Sequence, residues 1–342
     1  MSGMPFGLAV SGSEWRRGAL GDFTPSRKPT LYFIGVTTQR SSIMRVFPQW
    51  ARHLGLKDAA IRGLDLPIHG DPRLYREVVQ FIKEDPLSLG ALVTTHKIDL
   101  YQACRDLFDE CDNFALQMEE ASCLSKRGDR LICHAKDPIS SGLALESFIP
   151  RNHWRKTGAE LFCMGAGGST IAITWYLMNR GRGDDTPSQV FVSDRSTARL
   201  RAIQQIHRVL DFGVPVTYVE VPLPTDNDAV MCRLRPGSLI VNATGLGKDA
   251  PGSPISEEGL FPLDSLAWDL NYRGDLVFID QAHSQAASRR VHLEDGWNYF
   301  LHGWTQVIAE VFDIAIPTCG PDFDALSEIA RTAGRPPQEL AS

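Results

Sequence analysis

Three short stretches bring together residue types able to bind or react. In the first, the apolar run "AELFCM" (159–164) ends in Gly165-Ala166-Gly167-Gly168, and a pattern suited to a helix follows. Glycine accepts positive φ and lets backbone approach a pyrophosphate closely. The first N–H groups of a helix that opens there lack internal partners and would face phosphate oxygens. The spacing is not the strict G-x-G-x-x-G, although Ala172 is a near substitute for its last glycine. A tight turn without ligand is the plainer alternative.

The second stretch is Asp194-Arg195, with Arg199 one turn later. A carboxylate at the end of that strand would accept from the ribose 2′-OH of NAD, and an arginine would pair with the 2′-phosphate of NADP. Both residue types are present, and for Arg199 a solvated helix start is the alternative. The third is "LGALVTTHKIDL" (89–100), which delivers His96 and Lys97 just past a strand. A lysine acts as general base only if its pKa falls or a partner shares its proton. Otherwise Lys97 is a snorkelling helix-start residue. His96 reads as a ligand or as an exposed loop histidine.

Elements to hold these residues follow from hydrophobic period. "TLYFIGVTT" (30–38), "IRGLDLPI" (61–68) and "LGALVTT" (89–95) are strand patterns. "IMRVFPQWARHLGL", "LYREVVQFIKE" and "DLYQACRDLF" alternate with them as helices, the first interrupted by Pro48 and capped by Gly55. Residues 121–137 suggest a hairpin around Gly128-Asp129, with Cys123 and Cys133 as packing and His134 as structural. "SSGLALESFIP" reads as the helix that leads away from it. Beyond the glycine cluster, "SQVFVSDRSTARL", "VTYVEV", "GSLIVNATG" and "LAWDLNY" continue the β–α rhythm, and "DGWNYFLHGWTQVIAEVF" (295–312) closes it. This alternation predicts an α/β protein with largely parallel sheet. The tail after Pro317 is expected to be peripheral, and residues 179–188 a surface loop.

Composition narrows the function classes. The chain has 342 residues, 43% hydrophobic and 22% charged, which suits a soluble protein of about two domains. A net charge of -6 without a basic run argues against nucleic acid and an acidic membrane surface. Seven scattered cysteines without a CxxC pair argue against zinc, and their odd number suits a reducing compartment. No signal-peptide core or membrane-length apolar run is present, so a cytoplasmic location is expected.

Taken in order, these motifs resemble the shikimate/quinate dehydrogenase family from about Tyr32 to Phe312. "GAGGSTIA" is similar to its cofactor loop, which implies cofactor contacts for Gly165, Ala166, Gly167, Gly168 and Ser169. "DRSTAR" is similar to its Asn-Arg-Thr stretch, with Arg195 and Arg199 on the arginines and Asp194 replacing the asparagine. "VNATGLG" resembles the loop beside the nicotinamide, so Asn242 and Thr244 join the cofactor set, as does Gly296. "VTTHK" is similar to the segment that carries the family's catalytic lysine, and the aspartate of "HAKD" falls on that lysine's partner. The resemblance thus implies a catalytic pair, Lys97 and Asp137. It also implies substrate contacts for Ser41, Thr94, Ser122, Tyr272 and Gln306.

The departures lie on the substrate side. "VTTHK" is one residue short and lacks a proline, and Leu92 replaces a polar asparagine. Only one serine of the family's Ser-x-Ser aligns, as Ser41. Glu120-Ala121-Ser122-Cys123 stands for its Ala-Val-Asn-Thr. The family's substrate glutamine falls on Gly303, one turn before Gln306, and the flanking Tyr299 and Trp304 are large.

The implied fold is an N-terminal α/β substrate domain, residues 30–140 and 297–342, plus a Rossmann-type doubly wound dinucleotide-binding domain, residues 141–296. A loose arm over 1–29 precedes them. The implied activity is NAD(P)-dependent alcohol oxidation on a small-molecule polyol, a shikimate- or quinate-like ring, with NADP favoured over NAD. The same chemistry on a cyclitol or amino-cyclitol, and a non-catalytic nucleotide-binding sensor, are the alternatives. No metal is expected, and a monomer or homodimer is.

Overall fold

The structure, a computed structural model, describes residues 23–334 except 57, 180, 182, 211, 212 and 249. The expected arm lies outside the described residues as far as residue 22, and so do Arg180 and Arg182 of the expected surface loop.

The first sheet has six strands: β1 (Thr30–Gly35), β2 (Ala60–Asp65), β3 (Ser88–Val93), β4 (Glu110–Cys111), β5 (Cys123–Arg127) and β6 (Arg130–His134). Their order is β2-β1-β3-β5-β6-β4. β1, buried along its whole length, pairs in parallel with β2 and β3. β5 and β6 form the expected antiparallel hairpin around Gly128, whose φ is +64°. Helices α1 (Ile43–His53), α2 (Pro72–Glu84), α3 (Lys97–Cys104) and α4 (Asn113–Met118) connect these strands. α1 keeps Pro48 inside it, and Gly55 at φ +77° turns the chain beyond its end.

Helix α5 (Asp137–Phe148) and the short α6 (His153–Thr157) lead to a second sheet. It comprises β7 (Leu161–Met164), β8 (Val190–Asp194), β9 (Val216–Glu220), β10 (Leu239–Asn242), β11 (Leu266–Asp269) and β12 (His292–Glu294). All pairings are parallel, in the order β12-β11-β10-β7-β8-β9. This is the doubly wound Rossmann order, with its switch point between β7 and β10. Helices α7 (Gly168–Met178), α8 (Thr197–Leu210), α9 (Pro224–Met231) and α10 (Val277–Arg289) accompany it. β7 and β10 are buried throughout, as strands covered on both faces must be.

The chain then returns. Helix α11 (Trp297–Phe312) packs on β3 and β5 of the first sheet and on α5. Its Glu310 accepts from Lys136 Nζ at 2.6 Å, and its backbone carbonyl accepts from Arg127 at 2.6 Å, which fixes α11 to the hairpin. Helix α5 also packs against α7, so it joins the two halves. Gly142 of α5 permits this approach: a Cβ there would lie 2.2 Å from the Tyr176 ring.

Two expectations need correction. The segment after Pro317 is not peripheral: helix α12 (Pro321–Gly334) buries Phe323, Leu326, Ala330 and Ala333 against α1, and Trp50 Nε1 donates to the Leu326 carbonyl at 2.8 Å. The helix expected over residues 99–108 starts at Lys97, ends at Cys104 and tightens into a 3-10 turn over Arg105–Leu107. Among the described residues no helix is long and apolar enough to cross a membrane.

Candidate active site

Lys97 and Asp137 meet, although forty residues separate them in the chain. β3 ends at Val93 and α3 opens on Lys97, while β6 ends at His134 and α5 opens on Asp137. Each is therefore the first residue of a helix that follows a strand of the first sheet, and β5 separates those two strands. Lys97 Nζ donates to Asp137 Oδ2, and the two side chains are 19% and 11% exposed. Burial works against the Lys97 charge, but Asp137, with Tyr299 and Glu120 behind it, outweighs burial and holds the lysine above its ordinary range. Of the two conditions for a basic lysine, the structure shows the partner, Asp137, and not a lowered pKa.

Two further residues join this pair. Tyr299 of α11 donates its hydroxyl to Asp137 Oδ2 at 3.3 Å and hydrogen-bonds Ser169 in the first turn of α7. Burial, then the Asp137 charge, pushes the Tyr299 phenol up. Ser169 thus links the lysine pair to the glycine turn. Glu120 is 1% exposed, and neither carboxylate oxygen has a hydrogen-bond partner among the described residues. Burial raises its pKa to about 8; Asp137 adds to the rise and Lys97 opposes it. Neither Tyr299 nor Glu120 stood in the expected site. A glutamate ahead of the buried run Ala121–Cys123 is the signal that was there to read.

The glycine turn has the form that its sequence promised. Gly165 has φ +102°, and a Cβ there would lie 2.7 Å from the Ala243 carbonyl oxygen. Around Gly167 nothing lies within 4 Å of where a Cβ would stand, which leaves the backbone open beside the N-terminus of α7. These are the features a bound pyrophosphate requires. Asp194 behaves otherwise than expected. One carboxylate oxygen accepts from Ala166 N–H and the other from Ser196 N–H, both at 2.8 Å, and the residue is buried. It braces the turn. Arg195 and Arg199 are exposed at the start of α8.

Across the switch point, Asn242 is buried, and its Oδ1 accepts from the Thr244 N–H and from the Thr244 hydroxyl, at 3.1 and 2.7 Å. Its Nδ2 donates to Asp269 Oδ1 at 3.2 Å. Burial raises the Asp269 pKa to about 6. Thr244 itself is exposed, as is Lys248. Gly296 precedes α11, where a Cβ would lie 2.1 Å from the Leu270 carbonyl oxygen.

The expected substrate residues fall into separate places. Tyr272 is half-buried between Trp297 and Phe300, with ring centroids at 5.7 and 4.7 Å, and hydrogen-bonds Ser42. Ser42 rather than Ser41 therefore touches that tyrosine. Thr94 donates to the Ile34 carbonyl at 3.2 Å. Ser122 is buried, and its hydroxyl accepts from the Lys136 N–H at 2.7 Å, so it braces the approach to Asp137. Gln306 is half-buried and shares one face of α11 with Tyr299 and Gly303. A Cβ on Gly303 would meet nothing within 4 Å.

His96 is neither an exposed loop residue nor open to a ligand. It is 1% exposed, and Nδ1 lies 3.1 Å from the Tyr75 hydroxyl. Burial lowers its pKa. His134 is structural: Nε2 lies 2.8 Å from Ser125 Oγ. Among the described residues no three His, Cys, Asp or Glu side chains are placed to hold a metal.

Fold and site together define a class: a two-sheet α/β protein with a Rossmann-type dinucleotide turn facing a buried lysine–aspartate pair. No family model matches the chain. The shikimate dehydrogenase (NADP(+)) of Streptococcus thermophilus is 29% identical over 147 residues, 43% of this chain and 47% of that protein. The chain spans about half the length of the streptococcal relatives it matches. The shikimate dehydrogenase (NADP(+)) of Rhodopseudomonas palustris is 27% identical over 311 residues, 86% of this chain and 94% of that protein. Among solved structures, the quinate dehydrogenase from Corynebacterium glutamicum in complex with NAD shares the fold with a TM-score of 0.67 and 19% identity, over 89% of this chain and 99% of that one. In sequence the chain is similar to shikimate dehydrogenases, at 24–27% identity over most of its length, and in fold to shikimate and quinate dehydrogenases.

Proposed function

We propose that the chain is an NAD(P)-dependent dehydrogenase acting on a secondary alcohol of a polyhydroxylated six-membered carbocycle of the shikimate or quinate kind. The observation that carries this reading is the Lys97–Asp137 pair, tied through Tyr299 and Ser169 to the glycine turn. The first sheet, with α11 and α12 (30–140 and 297–334), takes the substrate, and the second sheet (141–296) takes the cofactor. A nicotinamide, when bound, supplies the hydride acceptor.

The chain's own residues do the rest. Gly165, Gly167 and the first turn of α7 receive the pyrophosphate. Lys97 Nζ takes the proton of the reacting hydroxyl, and Asp137 keeps the ammonium oriented and compensated. Asp194 is buried and braces the turn through both oxygens, while Arg195 and Arg199 are exposed where a 2′-phosphate would sit. NADP is therefore favoured over NAD.

The open space at Gly303, on the face of α11 that carries Tyr299, favours a second reading: the same chemistry on a cyclitol or amino-cyclitol with a bulkier substituent. Assays of shikimate, quinate, aminoshikimate and cyclitols with NADP+ and NAD+ test both. Reduction of NADP+ by shikimate or quinate is the expected result, and turnover of cyclitols alone would move the assignment to the second reading. Cofactor binding without turnover of any polyol would leave a nucleotide-binding sensor.

A further inference from the structure

We propose that Cys111 and Cys133 form a reactive dithiol at the edge of the first sheet, which a peroxide closes to a disulfide and an external dithiol reopens. The pair takes no part in alcohol oxidation, so it stands apart from the dehydrogenase reading.

Strand register brings the two residues together. β4 is the edge strand and pairs in parallel with β6, with Cys111 opposite Cys133. Neighbouring strands lie about 4.8 Å apart, within the range of Cα separations that a disulfide spans. Backbone bonds hold the register on both sides: Asp109 N–H donates to the Leu131 carbonyl and Asp112 N–H to the Cys133 carbonyl, both at 2.9 Å. Opposed residues of a pleated sheet point to one face. Cys133, 0% exposed, lies in the core under that face, and half-buried Cys111 packs against the same core. The two thiols hydrogen-bond. Cys123 is not a rival: on β5 it is Leu124 that faces Cys133, and Cys123 belongs to the core on the opposite face of the sheet.

The two thiols are unequal, as a nucleophile and its resolving partner must be. Cys133 donates its S–H to Cys111, and Arg105, in the turn after α3, adds a positive charge. Burial works against these two, as do Asp112 and Glu110 on either side of Cys111 in the chain. The balance lowers the Cys111 pKa to about 7, so the thiolate that attacks oxidants is abundant at neutral pH. Cys133 keeps its proton: its bond to Cys111 and then burial push it up, and Asp112 and Cys123 add to the rise. Tyr101 of α3 faces both thiols.

With hydrogen peroxide as oxidant the reaction balances in two steps. The Cys111 thiolate attacks one peroxide oxygen, an S–O bond forms and the O–O bond breaks. The hydroxide that leaves takes up a proton as water, and Cys111 becomes a sulfenic acid. The Cys133 sulfur then attacks the Cys111 sulfur, so an S–S bond forms and the S–O bond breaks. The second hydroxide leaves as water with the Cys133 proton. Two thiols lose two electrons, and one peroxide is reduced to two waters. The new bond closes a loop that contains α4 and β5. It ties the chain just ahead of Asp112, whose side chain caps α4, to the strand that leads to Asp137.

Peptide mapping of the full chain after brief treatment with hydrogen peroxide tests the pair. A Cys111–Cys133 cross-link is expected, with the mass of two hydrogens lost, and dithiothreitol is expected to restore both thiols. Trypsin leaves Cys111 and Cys123 on one peptide, so the bond is placed in Cys123→Ser, which is expected to retain it. In Cys133→Ser, Cys111 is expected to stop at the sulfenic acid, which dimedone traps. A Cys133 that stays a free thiol, or a bond that joins other cysteines, overturns the proposal. If Cys133→Ser does not fold, Cys111→Ser decides: Cys133 is then expected to resist peroxide, and its oxidation at the wild-type rate overturns the proposal.

The second arm is the pH dependence of Cys111 alkylation by iodoacetamide. A midpoint near pH 7 is expected in wild type. Cys133→Ala is expected to raise it by about one pH unit or more, because the donor that favours the thiolate is gone. A wild-type midpoint at the ordinary thiol value, or one indifferent to Cys133→Ala, overturns the proposal. Neither arm reads turnover, so both still decide the pair if the dehydrogenase reading falls.

Discussion

The two sheets solve different problems with different parts of the chain. In the second, the candidate site is backbone: glycine at φ +102°, an open Gly167, and N–H groups at the start of α7, with Asp194 and Asn242 spent on bracing turns. In the first, it is side chains: Lys97, Asp137 and Glu120 come from three separate segments, and Tyr299 arrives on α11 from beyond the second sheet. A phosphate needs dipoles fixed in direction, which a turn provides locally. A proton transfer needs ionisable groups at matched distance and burial, which only tertiary packing provides.

This contrast breaks first at Lys97. Lys97→Ala is expected to lower kcat by about 10³-fold or more while the calorimetric affinity for NADP+ stays within a few fold. Unchanged turnover would sink the role of the pair, and lost cofactor affinity would show that the two regions are not separable.

Acid sharpens the contrast next, because each half hides one imidazole with a pKa of about 4. His207, between Thr174 and Tyr218, lies under the second sheet, and His302 stacks on Phe323 at 4.6 Å beside the first. Burial depresses both below the ordinary 6.5, so between these values the unfolded chain binds protons that the folded chain refuses. Stability is intact above about pH 6.5 and falls as pH drops toward 4, by roughly 3 kcal/mol for each histidine. Urea titrations at about pH 7 and about pH 4.5 measure the loss. His302→Leu should remove one share of it, and an unchanged acid loss in that variant would rule out His302 as a source.

The smallest of the three effects falls on the turn itself. Gly165→Ala forces a Cβ to 2.7 Å from the Ala243 carbonyl at a φ that side chains disfavour. A cost of about 1–3 kcal/mol is expected in cofactor affinity or in stability, with the Lys97–Asp137 pair untouched. Calorimetry and thermal melts separate the two, and a variant equal to wild type in both would mean the turn relaxes freely.

The same division explains what was legible in the sequence. The glycine turn, the buried β7 and β10 and the hairpin at Gly128 are written in consecutive residues, so pattern and period reveal them. Lys97 and Asp137 were reached through a family resemblance, because nothing local pairs residues so far apart. Glu120 gave only the weak sign of a charge ahead of a buried strand. Its burial depends on the chain reversal at Glu119, where φ is +50°. Helix α12 was missed although Phe323, Leu326, Ala330 and Ala333 keep helical spacing, because its apolar stripe is narrow and relies on alanine. β4 and β12, with two and three residues, are too short for any periodic signal.

Gly142 has no reactive atom, yet it sets the gauge of the whole site. The Tyr176 ring occupies the place of its missing side chain, and that contact fixes how near α7 lies to α5. Asp137 begins one of these helices, and Gly168 and Ser169 begin the other. A single methyl added at Gly142 would act as a shim between the two shafts, and the displacement would be delivered at their far ends, where the Lys97–Asp137 pair meets the glycine turn.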